Sequence, residues 1–105
     1  MTDKFYNSLG LCRRAKHLSV GHDEVKNSVR SGKAQLVILT CDASDRLERE
    51  MRNLSDTAEV IRTDAAMSDM FQRVGKRSAV FAVTDTGLKE LVLSTIKEDS
   101  IHGTD

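Results

Sequence analysis

No stretch of this 105-residue chain approaches the roughly 18 consecutive apolar residues that a membrane-spanning helix needs, and no apolar signal region opens it. The expected location is therefore the cytoplasm, with no membrane partner. Proline and tryptophan are absent, and three Phe and one Tyr are the whole aromatic content. Cysteine is scarce. Cys12 and Cys41 show neither CxxC spacing nor a metal-ligand cluster, so both are expected as reduced, buried small hydrophobes. Histidine stops at His17, His22 and His102, none at a spacing that holds a metal. No GxSxG, Walker loop or GxGxxG occurs, and Gly10, Gly21 and Gly32 stand alone rather than forming a phosphate cradle. Asp23 and Glu24 are adjacent, so on a helix they point about 100° apart, poor geometry for an acid/base pair on one bond. The expectation is a non-enzymatic protein with no cofactor and no metal.

Net charge is missing as well: sixteen Lys/Arg balance sixteen Asp/Glu. That argues against a general polyanion binder. The distribution is uneven, however. Residues 1–33 hold seven cations against three acids, and residues 34–105 hold nine against thirteen. A basic third on a neutral chain points to one localised anionic partner, or to nothing more than solvated helix faces.

What is present is alternation. Phe5, Leu9 and Cys12 recur at helical spacing and predict a helix over 3–16, in which Gly10 marks close packing or a bend. Leu18–Val20 reads as a short strand, and residues 22–31 as a second helix ended by Gly32. Leu36–Leu39 has no polar alternation, the mark of a strand buried on both faces. Asp45 with Glu48 resembles a capping pair for a third helix carrying Leu47, Met51 and Leu54. Val60–Ile61 is a brief strand, and Met67, Met70, Phe71 and Val74 mark a fourth helix stopped by Gly75. Ala79–Val83 is a second fully apolar strand. Thr84–Thr86 is the cap of a fifth helix lined by Leu88, Leu91, Val92 and Ile96. Residues 98–105 lack periodicity and read as a polar tail, leaving 1–97 as one domain. Strands buried on both faces between helices imply a three-layer α/β/α sandwich; a monomer is expected.

The segment from Leu18 to Ser44 carries the functional signal. Gly21 is followed at once by His22, Asp23 and Glu24. Acids in a first helical turn offset the positive dipole end and cap free N–H groups. Acceptors at a helix start with basic residues around them also suit an exposed nucleic-acid edge. Residues alone leave both readings open.

Leu9-Gly10-Leu11, Arg14-Ala15-Lys16, Gly21, Leu36-Val37, Asp42-Ala43-Ser44, Val74-Gly75-Lys76 and Ala82-Val83-Thr84-Asp85 occur in that order and spacing. Together they resemble the YlxQ-like bacterial branch of the kink-turn-binding ribosomal-protein superfamily, over about residues 8 to 96. The resemblance implies a sandwich around a four-stranded mixed sheet. It also implies binding of kinked RNA through the start of the second helix, Gly21 to Asn27, and the loop before the last strand, Gly75 to Ala79. In sheared G·A pairs each guanine leaves N1–H and O6 free; a carboxylate accepts from the first, and an ammonium or amide donates to the second. Carried over by position, Glu24 falls on the guanine-contacting glutamate. Asp23 stands where strong binders carry asparagine, and Asn27 where they carry lysine, with Lys26 one residue away. Ser31 sits where arginine is frequent, with Arg30 displaced by one. Lys76 matches a Gly-Lys common in this branch, and Lys76-Arg77-Ser78 replaces a largely apolar surface.

The resulting expectation is a structured RNA partner, ribosomal RNA first among candidates and DNA not among them. Glu24, Asp23 and Asn27 read base edges. Lys26, Arg30, Lys33, Lys76, Arg77, Arg14 and Lys16 hold phosphates, and His22 stacks or donates. The alternatives are a protein-interaction module that keeps the fold without the RNA, and a substrate-recognition unit that serves an RNA-modifying enzyme in trans.

Overall fold

The computed structural model describes the backbone of residues 1–103 and the side chains of residues 1–98. Two apolar tetrapeptides set its architecture. β2 (Leu36–Leu39) and β4 (Val80–Val83) are buried at every position. Side chains along a strand alternate faces, so each tetrapeptide feeds two cores. Leu36, Ile38, Phe81 and Val83 point one way, and Val37, Leu39, Val80 and Ala82 the other. Each fully buried aliphatic or aromatic side chain contributes about 1.5–3 kcal/mol. Both faces therefore need a covering layer. On the first face α1 (Asp3–Arg14), α4 (Met67–Val74) and α5 (Thr86–Gly103) supply Phe5, Leu9, Cys12, Met70 and Val92. On the second, α2 (His22–Arg30) and α3 (Asp45–Leu54) supply Val25 and Met51. The expected α/β/α sandwich is present.

The sheet is mixed, in the order β1-β4-β2-β3, with β1 at Leu18–Val20 and β3 at Glu59–Arg62. β4 runs antiparallel to β1 and β2, and β3 runs parallel to β2. The register places Val20, Val80, Leu39 and Arg62 at one end of the sheet and Leu18, Val83, Leu36 and Glu59 at the other. This division decides which loops meet.

Local differences from the sequence reading have plain causes. α1 ends at Arg14 rather than residue 16, because Lys16 adopts a left-handed φ of 63°. There the His17 N–H donates to the Cys12 carbonyl at 2.9 Å and the Lys16 N–H to that of Arg13 at 3.0 Å. This is the paired closure that usually recruits glycine. A Cβ on Gly10 would meet only Arg14 Nη1, at an ordinary 3.6 Å, so close packing does not require that glycine. Cys12 is buried, and burial pushes its thiol up to about 11. Cys41, expected inside, is exposed. α5 continues past residue 97 to Gly103, so the aperiodic stretch read as a tail is helical through that point; Thr104 and Asp105 lie outside the described residues.

The cap of α3 also differs. Ser44, not Asp45, accepts the Leu47 N–H at 3.1 Å. Glu48 instead faces Arg62 and Arg52. Ser44→Ala should cost about 1 kcal/mol in urea unfolding, and Asp45→Ala only roughly 0.3 kcal/mol through the helix dipole. An equal or larger loss in the Asp45 variant would reverse the assignment.

Candidate nucleic-acid interface

A single residue separates β1 from α2. Gly21 makes that turn at φ 95°, ψ 162°, a region open essentially to glycine alone. Nothing lies within 4 Å of where a Cβ would stand, so conformation rather than crowding demands glycine here. In this pose the Gly21 N–H donates to the Val80 carbonyl at 3.1 Å. The bond ties the start of α2 to the start of β4, and hence to the loop of residues 75–79 that precedes it. The two segments singled out from the sequence form one edge.

Glu24 is exposed on that edge, and its Oε2 accepts the Val20 N–H at 2.8 Å. β1 is an edge strand, so this N–H would otherwise project unpaired. The bond closes the strand edge rather than capping the N–H groups of α2, and it uses one carboxylate oxygen. Among the described residues the other has no protein partner. The edge-closing and base-reading roles are therefore compatible in one side chain.

His22 and Lys26 are drawn sideways. His22 Nε2 lies 2.7 Å from Glu50 Oε1, its Nδ1 lies 3.5 Å from Asp23 Oδ1, and Lys26 Nζ is 3.7 Å from Glu50 Oε2. The His22 imidazole first, then Lys26, holds the Glu50 carboxyl below the usual range. Lys26 thus faces α3 and does not substitute for a cation at Asn27, which is exposed.

The second segment is fixed from beneath. Gly75 closes α4 with a left-handed φ of 88°. Arg13, in the last turn of α1, sends Nη1 to the Val74 carbonyl at 2.7 Å. A Cβ on Gly75 would stand 2.6 Å from that same Nη1. Farther along, Ser78 Oγ donates to the Val80 carbonyl at 2.9 Å, while Lys76 and Arg77 are exposed. The Met67 N–H donates to the Asp42 carboxylate at 3.2 Å, which ties the β2–α3 loop to the start of α4. Arg62 shapes that loop: its Nη1 donates to the carbonyls of Ala43 at 2.8 Å and Cys41 at 3.1 Å, and its Nε to Glu48 at 2.6 Å. The Arg62 and Arg52 guanidiniums hold the Glu48 carboxyl low.

Three residues expected at the interface lie away from the Gly21 end of the sheet, and a fourth turns back along its own helix. Arg30 is the last residue of α2, roughly 12 Å of helical rise from His22. Lys33 follows it toward β2, where the Gln35 N–H meets the Val83 carbonyl at the opposite end of the sheet. Lys16 precedes Leu18 at that same end. Arg14 folds back along α1 toward Gly10. The basic third of the chain is therefore dispersed rather than gathered. Arg13, Glu50 and Arg62 give no signal in the sequence because each acts across 14 to 61 positions; a lone charge in a helix or strand carries no sign of its distant partner. Among the described residues no group of His, Cys, Asp and Glu is placed to hold a metal, and no helix is long and apolar enough to cross a membrane.

The family model described as Ribosomal protein L7Ae/L30e/S12e/Gadd45 family matches residues 3–92. The chain belongs to this family. The RNA-binding protein YlxQ of Enterococcus faecium is 30% identical over 94 residues, covering 85% of this chain and 91% of that protein. The YlxQ of Bacillus subtilis is 28% identical over 95 residues, covering 89% and 95%. A structure of a protein of unknown function from Bacillus halodurans superposes with a TM-score of 0.81 at 26% identity, covering 91% of this chain and 99% of the other. The Giardia lamblia 15.5kD RNA binding protein gives a TM-score of 0.68 at 17% identity over 90% and 83%, a likeness of fold. The resemblance read from the residues is borne out at the level of family.

Two predictions test the geometry. Gly75→Ala should destabilise by roughly 1–2 kcal/mol from the left-handed backbone and by about 1 kcal/mol more as Arg13 loses its carbonyl; an unchanged urea midpoint would remove Arg13 as the tie. A depressed carboxyl such as that of Glu50 stabilises above the ordinary glutamate range, and that stability is lost as pH falls through its lowered value. Glu50→Gln should therefore lose less stability than the parent between about pH 5 and pH 3, read from urea midpoints at both values. An equal loss in both proteins would remove the His22–Glu50 contact from the acid response.

Proposed function

We propose that this protein binds a structured RNA of the kinked-helix type, with ribosomal RNA the first candidate, through the edge formed by Gly21–Asn27 and Gly75–Ala79. The observation that carries the reading is the Gly21–Val80 hydrogen bond, which makes those two segments one surface with Glu24 on it. Membership of the family, and relatives that are RNA-binding proteins, support it.

In this reading Glu24 keeps Oε2 on the Val20 N–H and turns its second oxygen to a guanine N1–H. Asn27 donates to O6. Lys76 and Arg77 sit on the backbone of the opposing strand, where a cation positions without reading sequence. Asp23 adds a negative charge beside Glu24, and Lys26 is held by Glu50. Removing one charge-assisted hydrogen bond costs about 1.5–3 kcal/mol, enough to move a nanomolar binder toward micromolar. The expected affinity is accordingly modest.

The test is a titration with a kink-turn RNA and a mutant whose sheared G·A pairs are disrupted. The parent should prefer the intact RNA. Glu24→Gln keeps an acceptor for Val20 but loses the charge, and should weaken binding to the intact RNA by about ten- to a hundredfold. Equal affinity of the parent for both RNAs, or binding to neither, would remove specific recognition.

A further inference from the structure

We infer that the exposed face of α3 is a second RNA surface, which grips the phosphate backbone of a regular helical stem through Arg46 and Arg49. The inference rests on the RNA-binding reading above but concerns a different surface and a different feature of the RNA.

The charges of α3 sort by elimination. The helix carries Asp45, Glu48 and Glu50 against Arg46, Arg49 and Arg52. Glu48 is occupied by Arg62 at 2.6 Å and Arg52 at 3.0 Å. Glu50 is occupied by His22 at 2.7 Å and Lys26 at 3.7 Å. Arg52 is further held on the Val60 carbonyl at 3.1 Å, and Asp45 lies 3.6 Å from Arg62. What is left over is two exposed arginines. Among the described residues neither Arg46 nor Arg49 has a hydrogen-bond or ion-pair partner. Glu48 and Glu50 are committed elsewhere, and Asp45 makes only the 3.6 Å contact with Arg62.

The arginines are three residues apart, hence neighbours on one face, with about 5–6 Å between Cβ atoms. That spacing is of the order of the separation between successive phosphates along one RNA strand. They line a groove of about 460 Å³ with Glu50 and Asn53. Guanidinium is the side chain best matched to phosphate, since its planar fork offers paired donors, and a concave wall focuses its field. The surface is also continuous with the α2 edge. Glu50 lines the groove and simultaneously bonds His22 in the first turn of α2. α3 begins after β2 has reached the Gly21 end of the sheet, so the row Arg46, Arg49, Asn53 leads away from that edge. An RNA whose kink sits at Glu24 would lay one stem along this row.

The probe is a plain RNA duplex without a kink, titrated at several salt concentrations with the parent, an Arg46→Gln/Arg49→Gln double variant, and Lys97→Gln. The double variant should bind the duplex more weakly. Its slope of log affinity against log salt should be smaller by about 1.5, from roughly 0.7–0.9 for each phosphate no longer neutralised. Lys97→Gln, an exposed lysine on α5 in the opposite layer, should match the parent on this probe. Both substituted arginines are exposed, and the thermal midpoint of the double variant checks that the fold is kept. Equal affinity and slope in parent and double variant, including the case in which α3 serves an acidic protein partner instead, would overturn the inference, as would a parent that does not bind duplex. A parent blind to the G·A pairs whose duplex binding still depends on the two arginines would overturn the kinked-RNA reading and leave the groove standing.

Discussion

The arrangement of the candidate site depends on one backbone hydrogen bond, from the N–H of Gly21 to the carbonyl of Val80. It forms because a glycine-only conformation lets β1 pass into α2 within a single residue. Without that turn, the chain would need a longer loop, and the first helical turn of α2 would stand away from the sheet. With it, the start of α2 is locked to the start of β4, and the loop before β4 is brought alongside. The position of Glu24 follows from the same constraint, because its carboxylate reaches back to the Val20 N–H one residue before the turn.

Around this joint the polar groups divide into those consumed by the protein and those left to face outward. Arg13, Arg62, Glu48 and Glu50 are consumed: they hold loops and helices to one another at bonding distance. Asp23, Asn27, Lys76, Arg77, Arg46 and Arg49 are exposed. The net charge of zero therefore says little about any one face. Internal pairing engages Glu48 and Glu50 on α3, while Asp23, Glu24 and Asp45 stay exposed on the same side as Arg46 and Arg49. The zero balance that argued against a polyanion partner is a property of the whole and not of the edge.

The fold was legible in the sequence because its two central strands are apolar throughout, and that pattern has few structural outcomes beyond a layer on each face. The site was legible only in part. Gly21 and Gly75 announce themselves, since an isolated glycine between periodic segments marks a positive φ, and both have one. Glu24 was ambiguous between cap and ligand; in place of a helix cap it closes the β1 edge with one oxygen and leaves the other open. Arg30 and Lys33 were misplaced because proximity in sequence ends at the far end of a helix. Lys16 lies at the far end because of the direction of β1, which no local pattern encodes. The long-range ties made by Arg13, Glu50 and Arg62 became visible only once the sheet order was known.

The most direct measurement is amide chemical-shift mapping of the protein as a kinked RNA is titrated in. The joint at Gly21 and Val80 predicts that Gly21–Asn27 and Gly75–Ala79 shift together, while Lys16, Lys33 and the turn around Gly32 stay in place. Shifts centred on the Lys16 and Lys33 end of the sheet, with the Gly21 turn unperturbed, would contradict it.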